Sequence, residues 1–131
     1  MIEIPKNIIE AIVSPAYDEL PNEACGLLTG NNNQVKQRHP MTNIDKSPDH
    51  FSFDPQEQVS VLKKARETGE KIIANYHSHP STPARPSQED IVLAFDPDIT
   101  YIIVSLAGTE AVIKAFKIRD CKVTEEKIKI L

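Results

Sequence analysis

The chain has 131 residues, 40% hydrophobic and 26% charged, which suits one domain (1–131) around one core and excludes a disordered segment. Nineteen acidic residues against fifteen Lys and Arg give a net charge of −4, with no basic run interleaved with aromatics, so nucleic acid is not expected as a partner. No apolar stretch approaches the roughly 18 residues that cross a bilayer, and the start MIEIPKNIIE lacks the order of a secretory leader, so neither a membrane nor an export route is expected and the location read is cytoplasmic.

Pro5 suits the first turn of a helix over 5–20, where Ile8, Ile9, Ile12 and Val13 recur at helical spacing. Pro15 should kink that helix or end it early, because an interior proline lacks the N–H of one helical bond. ACGLLTG and VKQRHPM flank the cluster Asn31–Asn33, which predicts a hairpin with strands near 24–29 and 34–41. The stretch 42–53 reads as a surface loop, with a short strand where Phe51 and Phe53 alternate around Ser52. Asp54, Pro55 and Glu57 then mark a helix start, with Glu57 reaching back to the cap, and Gly69 stops the helix near 68.

KIIANYHSH is β-rich, and the two-residue period of a strand sets Ile73, Asn75, His77 and His79 on one face. After the proline-punctuated loop PSTPARP, Ser87 caps a short helix with Asp90 in its first turn, and the VLAF stripe is expected in the core. ITYIIVSL and AVIKAFKIR follow as strands around the turn AGTE, and CKVTEEKIKIL adds a last one. Hairpins mixed with helices predict the α/β class: a mixed, mainly antiparallel sheet flanked by helices.

Two imidazoles at i and i+2 on a strand end, His77 and His79, can reach one metal ion, and Asp90 is placed to return a carboxylate to them. Two histidines and a carboxylate leave zinc one open position, the pattern of catalytic sites, although such a ligand set suits several divalent ions. Hydrolysis also needs a base. Glu23, at the entry to the first hairpin strand, is the candidate, because an antiparallel neighbour ending at His77 would bring both to one end of the sheet.

A Glu in NEACGLLTG, then HSHP, six residues, Ser87, two residues and Asp90 resembles the signature of the JAMM (MPN-plus) zinc metalloproteases. The resemblance covers nearly the whole chain. It implies the MPN fold, with a layout like that of the cytidine deaminases. It implies His77, His79 and Asp90 as zinc ligands, Glu23 as general acid and base, and Ser87 as donor to a tetrahedral oxyanion. Its implied activity is cleavage of amide or isopeptide bonds at the C-terminus of a small ubiquitin-like, sulfur-carrier protein, exposing a Gly-Gly end. The runner-up is a deubiquitinase-like or general peptidase, and the competitor from another class is a non-catalytic scaffold that binds ubiquitin-like proteins.

The remaining candidates read blandly. Cys25 shares a strand face with Glu23 but is expected as a small buried hydrophobe rather than a nucleophile. His39 and His50 have no partners at ligand spacing and default to surface residues. Two cysteines, Cys25 and Cys121, cannot build a disulfide framework or a four-thiolate site. The substrate tail is expected to add to an exposed edge strand, with the folded body docking outside on the 42–53 loop and Phe51.

Overall fold

The computed structural model describes residues 1–131. Its elements in chain order are β1 (Ile2–Ile4), α1 (Lys6–Asp18), β2 (Cys25–Asn31), β3 (Gln34–Met41), α2 (Pro55–Thr68), β4 (Lys71–His79), α3 (Gln88–Val92), β5 (Thr100–Ser105), β6 (Val112–Arg119), β7 (Lys122–Glu126) and β8 (Ile128–Ile130). One eight-stranded sheet runs β7-β6-β5-β4-β2-β3-β1-β8. Four pairings are antiparallel and three, β1 with β3, β1 with β8 and β4 with β5, are parallel. The mixed, mainly antiparallel sheet expected from the sequence is therefore present.

Local chemistry accounts for most boundaries. The hairpin turns at Asn32 and Asn33, with φ of 52° and 63°, the left-handed pair that a two-residue turn between twisted strands requires. In α2 the Asp54 carboxylate accepts from the Gln56 N–H and Gly69 closes the helix at φ 72°. Pro5 is the residue before α1 rather than part of its first turn, and the helix continues past Pro15 to Asp18. It survives because Ile8, Ile12 and Ala16 are buried along one stripe against the sheet, and that packing outweighs one missing hydrogen bond.

Several expectations are corrected. Residues 2–4 form a strand, and the C-terminal segment makes two strands rather than one. β7 and β8 lie at opposite edges of the sheet yet only Lys127 separates them, so the sheet curls until its edges nearly meet. Phe51 and Phe53 form no strand; Phe53 makes only an isolated bridge with Asn43. Glu57 does not reach back to its cap but accepts from the N–H and hydroxyl of Thr42 at 2.7 and 2.8 Å. Ile73 leaves the face of His77, because a register shift opposite Leu28 and Thr29 inserts a bulge that turns Ile73 toward the Leu28 and Ala74 core.

α1 packs on one face of the sheet, over Leu28, Ala74, Tyr76, Ile102 and Val104. The other face carries His77 and a smaller cluster of Ala84, Ile103, Phe116 and Ile118. β4 and β5 are parallel neighbours, so residues 80–99 must cross back over the sheet before β5 begins. That crossover carries α3, and with it Asp90, to the end of β4 where the two histidines sit.

Candidate metal centre

His77 and His79 end β4, 3% and 4% exposed, and both Nε2 atoms converge on Asp90. The Nε2 atoms are 3.1 Å apart, and Asp90 Oδ2 lies 3.2 Å from that of His77 and 3.1 Å from that of His79. Zinc bonds of about 2.0–2.1 Å at tetrahedral angles put donor atoms about 3.3 Å apart, so this triangle is close to the size of a zinc site. Two imidazole nitrogens face to face beside a carboxylate oxygen are also poorly served by one another: lone pairs repel and two protons clash, whereas a cation at the centre satisfies all three. The three residues thus fit a divalent metal, and they are the one group of His, Cys and acidic side chains with that spacing.

Surrounding bonds prepare the ligands. His79 Nδ1 lies 2.9 Å from the Pro83 carbonyl, which fixes that nitrogen as the donor and leaves Nε2 its lone pair. Asp90 is held by a reciprocal cap: the Ser87 N–H donates to Asp90 Oδ2 at 2.9 Å, and the Asp90 N–H donates to Ser87 Oγ at 3.1 Å. Burial holds His77 below its usual range and so keeps it neutral. Burial also opposes charge on His79, but Asp90 and the Pro83 carbonyl outweigh it and raise the group. For Asp90 the neighbouring imidazoles and the Ser87 N–H outweigh burial and hold the carboxyl well below the ordinary carboxylate range.

Glu23 comes to this end of the sheet by register. Cys25 pairs with His77, and the Ser78 N–H donates to the Ala24 carbonyl at 2.9 Å while the Ala24 N–H donates to Ser78 Oγ at 2.8 Å. Continuing the antiparallel ladder by one residue sets Glu23 beside His79. The side chain is buried, and its Oε1 has no hydrogen-bond partner. Burial pushes its carboxyl up to about 8, the attraction of His79 opposing and the charge of Asp90 reinforcing the rise.

Phe51 does not face outward as a docking point. Its ring stacks on His77 with centroids 4.6 Å apart and planes inclined by 27°. It also borders a cavity of about 330 Å³ lined by Phe53, Asn75, His77, Asp90 and Leu93. That cavity shares Phe53, Gln58, Asn75, Leu93, Phe95 and Tyr101 with a second one running between α2 and the 93–101 segment, so one groove leads from the ligands along the sheet. Of the VLAF stripe expected in the core only Ala94 packs inward: Val92 is exposed, and Leu93 and Phe95, the latter 82% exposed, rim the groove. α3 stops at Val92, so Ile91 and Ala94 still pack on the Ala84, Ile103, Phe116 and Ile118 cluster while their neighbours turn outward. No sheet edge adjoins the three side chains either, since β4 is paired on both sides by β2 and β5.

The other candidates fall as expected, with more structure than foreseen. Cys25 is buried, its thiol donates to the Met41 carbonyl at 3.7 Å, and burial pushes it up to about 12, which rules out a thiolate nucleophile. His39 is half-buried against Thr29 Oγ1 at 2.8 Å, and Thr29 in turn donates to Glu70. His50 is exposed and pairs with Asp45. Nothing in the sequence marked Asn43, Ser78 or the Pro83 carbonyl, because each acts through contacts with backbone groups that no residue pattern displays.

Comparison with protein families matches residues 5–119 to the prokaryotic homologs of the JAB domain. The chain belongs to that family. Among curated proteins, the CysO-cysteine peptidase of Mycobacterium tuberculosis is 34% identical over 134 residues, covering 100% of this chain and 92% of the relative. A probable TtuB-protein conjugate cleaving protease of Thermus thermophilus is 31% identical over 112 residues, covering 85% of this chain and 74% of its own. Among solved structures, a protein of Desulfitobacterium hafniense is 46% identical with a TM-score of 0.90, over 100% of this chain and 93% of that one. The JAMM resemblance and the MPN-type architecture read from the sequence are borne out.

Proposed function

We propose that the chain is a single-domain, zinc-dependent peptidase that trims a ubiquitin-like sulfur-carrier protein to its Gly-Gly end. The observation that carries this reading is the convergence of His77, His79 and Asp90 within 4.8 Å of one another beside a buried, unpartnered Glu23 carboxylate. His77, His79 and Asp90 would hold the zinc ion, which would supply a Lewis acid for the scissile carbonyl and an acidified water with a pKa of about 7. Glu23, buried beside the three side chains with no other partner, is placed to take a proton from the attacking water and return it to the departing amine. The Ser87 hydroxyl uses a lone pair for its helix cap and keeps its own proton, so capping leaves it free to donate to the developing oxyanion. A scaffold that only bound ubiquitin-like proteins would need neither the ligand triangle nor the buried base.

The groove supports an extended tail. Its apolar walls suit side chains upstream of the cut, and the buried Asn75 Oδ1, which has no partner, offers an acceptor to a tail N–H. Glycines at the end of the tail let the backbone approach the ligands without a Cβ. The relatives' names, which speak of a cysteine adduct and of a protein conjugate, agree with a single small carrier as substrate. No helix is long and apolar enough to cross a membrane, and both cysteines are free, which supports a reducing cytoplasmic setting. The test is a mass-spectrometric time course on a ubiquitin-like protein extended past Gly-Gly and on the same protein with Val-Val. Trimming of the first alone is expected, and equal cleavage of both would remove the tail specificity.

A further inference from the structure

The segment between β3 and α2 is more ordered internally than a surface loop requires, and its order has one centre. Asn43 is 8% exposed and uses all of its hydrogen-bonding capacity. Its Nδ2 donates to the Glu23 carbonyl at 3.1 Å and to the His50 carbonyl at 3.2 Å. Its Oδ1 accepts from the N–H of Asp45 at 3.1 Å and of Ser52 at 3.3 Å. The residues so tied, His50 and Ser52, flank Phe51, whose ring lies on His77. Further bonds lock the segment in place: the Glu23 N–H donates to the Ser47 carbonyl, the Ile44 N–H donates to the Ser52 carbonyl, and Glu57 grips Thr42.

The stacking matters because the two histidines are held differently. His79 has the Pro83 carbonyl to orient its ring, whereas the buried Nδ1 of His77 has no hydrogen-bond partner. Metal-binding histidines ordinarily receive their orientation through that second nitrogen. For His77 the stacked Phe51 ring takes that place, because covering one face of the imidazole resists its swing about the χ2 axis.

We propose that Asn43 and Phe51 are positioning residues: Asn43 folds residues 43–53 into a clamp that sets the Glu23 backbone and, through Phe51, the His77 ring in one geometry. The inference rests on the reading of His77 as a metal ligand and Glu23 as the base. It departs from the expectation that this segment serves as a docking surface.

The full chain is used with zinc as the probe, its dissociation constant measured by chelator competition, in parent, Phe51→Leu, Phe51→Tyr, Asn43→Ala and the Asn43→Ala/Phe51→Leu pair. Phe51→Leu should weaken zinc binding by about 10-fold, the low end for groups that orient ligands, and Phe51→Tyr should restore it by restoring the flat contact. Asn43→Ala should lower kcat on the Gly-Gly substrate by on the order of 10- to 100-fold with KM nearly unchanged, the signature of a misplaced base rather than lost binding. In the metal-free protein the same variant should speed hydrogen exchange at the Glu23 amide; by loosening Phe51 it should also weaken zinc binding severalfold, and in the pair the losses of zinc affinity should be less than additive, because both act through one ring. Parental zinc affinity in Phe51→Leu together with parental kcat in Asn43→Ala would overturn the clamp, as would additive losses in the pair. If the parent itself binds no zinc, the ligand reading falls and takes the clamp with it. A parent that binds zinc, loses it in His77→Ala and is indifferent to both loop substitutions overturns the clamp alone.

Discussion

The two faces of the sheet are finished differently. Under α1 thirteen buried residues, from Ile2 to Ala115, form one continuous cluster, and every side chain there is either apolar or, for Tyr76, hydrogen-bonded to Arg38. The opposite face buries only Ala84, Ile103, Phe116 and Ile118 as a cluster and leaves Leu62, Val92, Leu93 and Phe95 exposed. It also holds groups that cost free energy to bury, the unpartnered Glu23 Oε1, Asn75 Oδ1 and His77 Nδ1. One face supplies stability and the other spends part of it on a site. A protein of this size has little to spare, so the division between faces is where substitutions should separate folding from function.

The largest effect is expected on the open face. His77→Ala should take bound zinc from about one per chain to nearly none and abolish turnover, while the metal-free protein unfolds much as the parent does. Metal analysis with denaturant titration reads both; zinc retained by the variant would show that His77 is not a ligand. On the α1 face the converse holds. Leu28→Ala, at a fully buried position, should cost about 2–5 kcal/mol of stability, with zinc affinity intact in the fraction that remains folded. A stability loss far below that range would mean that the α1 face is less tightly packed than its burial indicates.

Glu23→Gln keeps the side-chain volume and removes the base, so turnover should fall by roughly 100-fold or more with metal still bound. Parental turnover would reduce Glu23 to a structural residue. The same pair tests the energetic strain of the open face. Below pH 4.5 the Glu23 carboxyl is protonated in both folded and unfolded chains; between 4.5 and about 8 the folded protein holds a proton that the unfolded chain has released. Stability of the metal-free parent should therefore fall as pH rises through that window, and Glu23→Gln should lack this slope. Denaturant titrations at pH 5 and pH 8 read the difference, and parallel behaviour of the two proteins would contradict the buried acid. The smallest effect is expected at Phe95. Phe95→Ala should change stability by less than about 0.5 kcal/mol, since the ring is 82% exposed, yet raise KM for the carrier protein severalfold. An unchanged KM would remove the groove rim from substrate binding.

What was legible from the residues was whatever a few neighbours determine. Asp54, Pro55 and Gly69 delimit α2 by capping and backbone preference alone, and Asn32 and Asn33 turn the first hairpin by tolerating positive φ. His77, His79 and Asp90 were legible because two of the ligands share a strand period and the third opens the next helix within a short, proline-stiffened loop. The apolar residues near Asp90 misled for the same local reason. Leu93 and Phe95 look like core in a window of four residues, and only the end of α3 at Val92 leaves them on a groove.

The sequence by itself determined the hairpin, the capped helix, the alternation that turns both imidazoles to one side, and the residue types of the proposed ligands and base. Tertiary structure decided everything that depends on which strands become neighbours. The parallel pairing of β4 with β5 forces the crossover that brings Asp90 to the histidines, and the antiparallel pairing of β2 with β4 sets Glu23 beside His79. A bulge moved Ile73 into the α1 core, and residues 2–4 and 128–130 became strands only by pairing with each other and with β3. The physical reason is one of range: capping, turns and side-chain period are settled within a few residues, whereas strand partners, bulges and the bond from Asn43 to the Glu23 carbonyl are settled by backbone groups that must find partners far along the chain once they are buried.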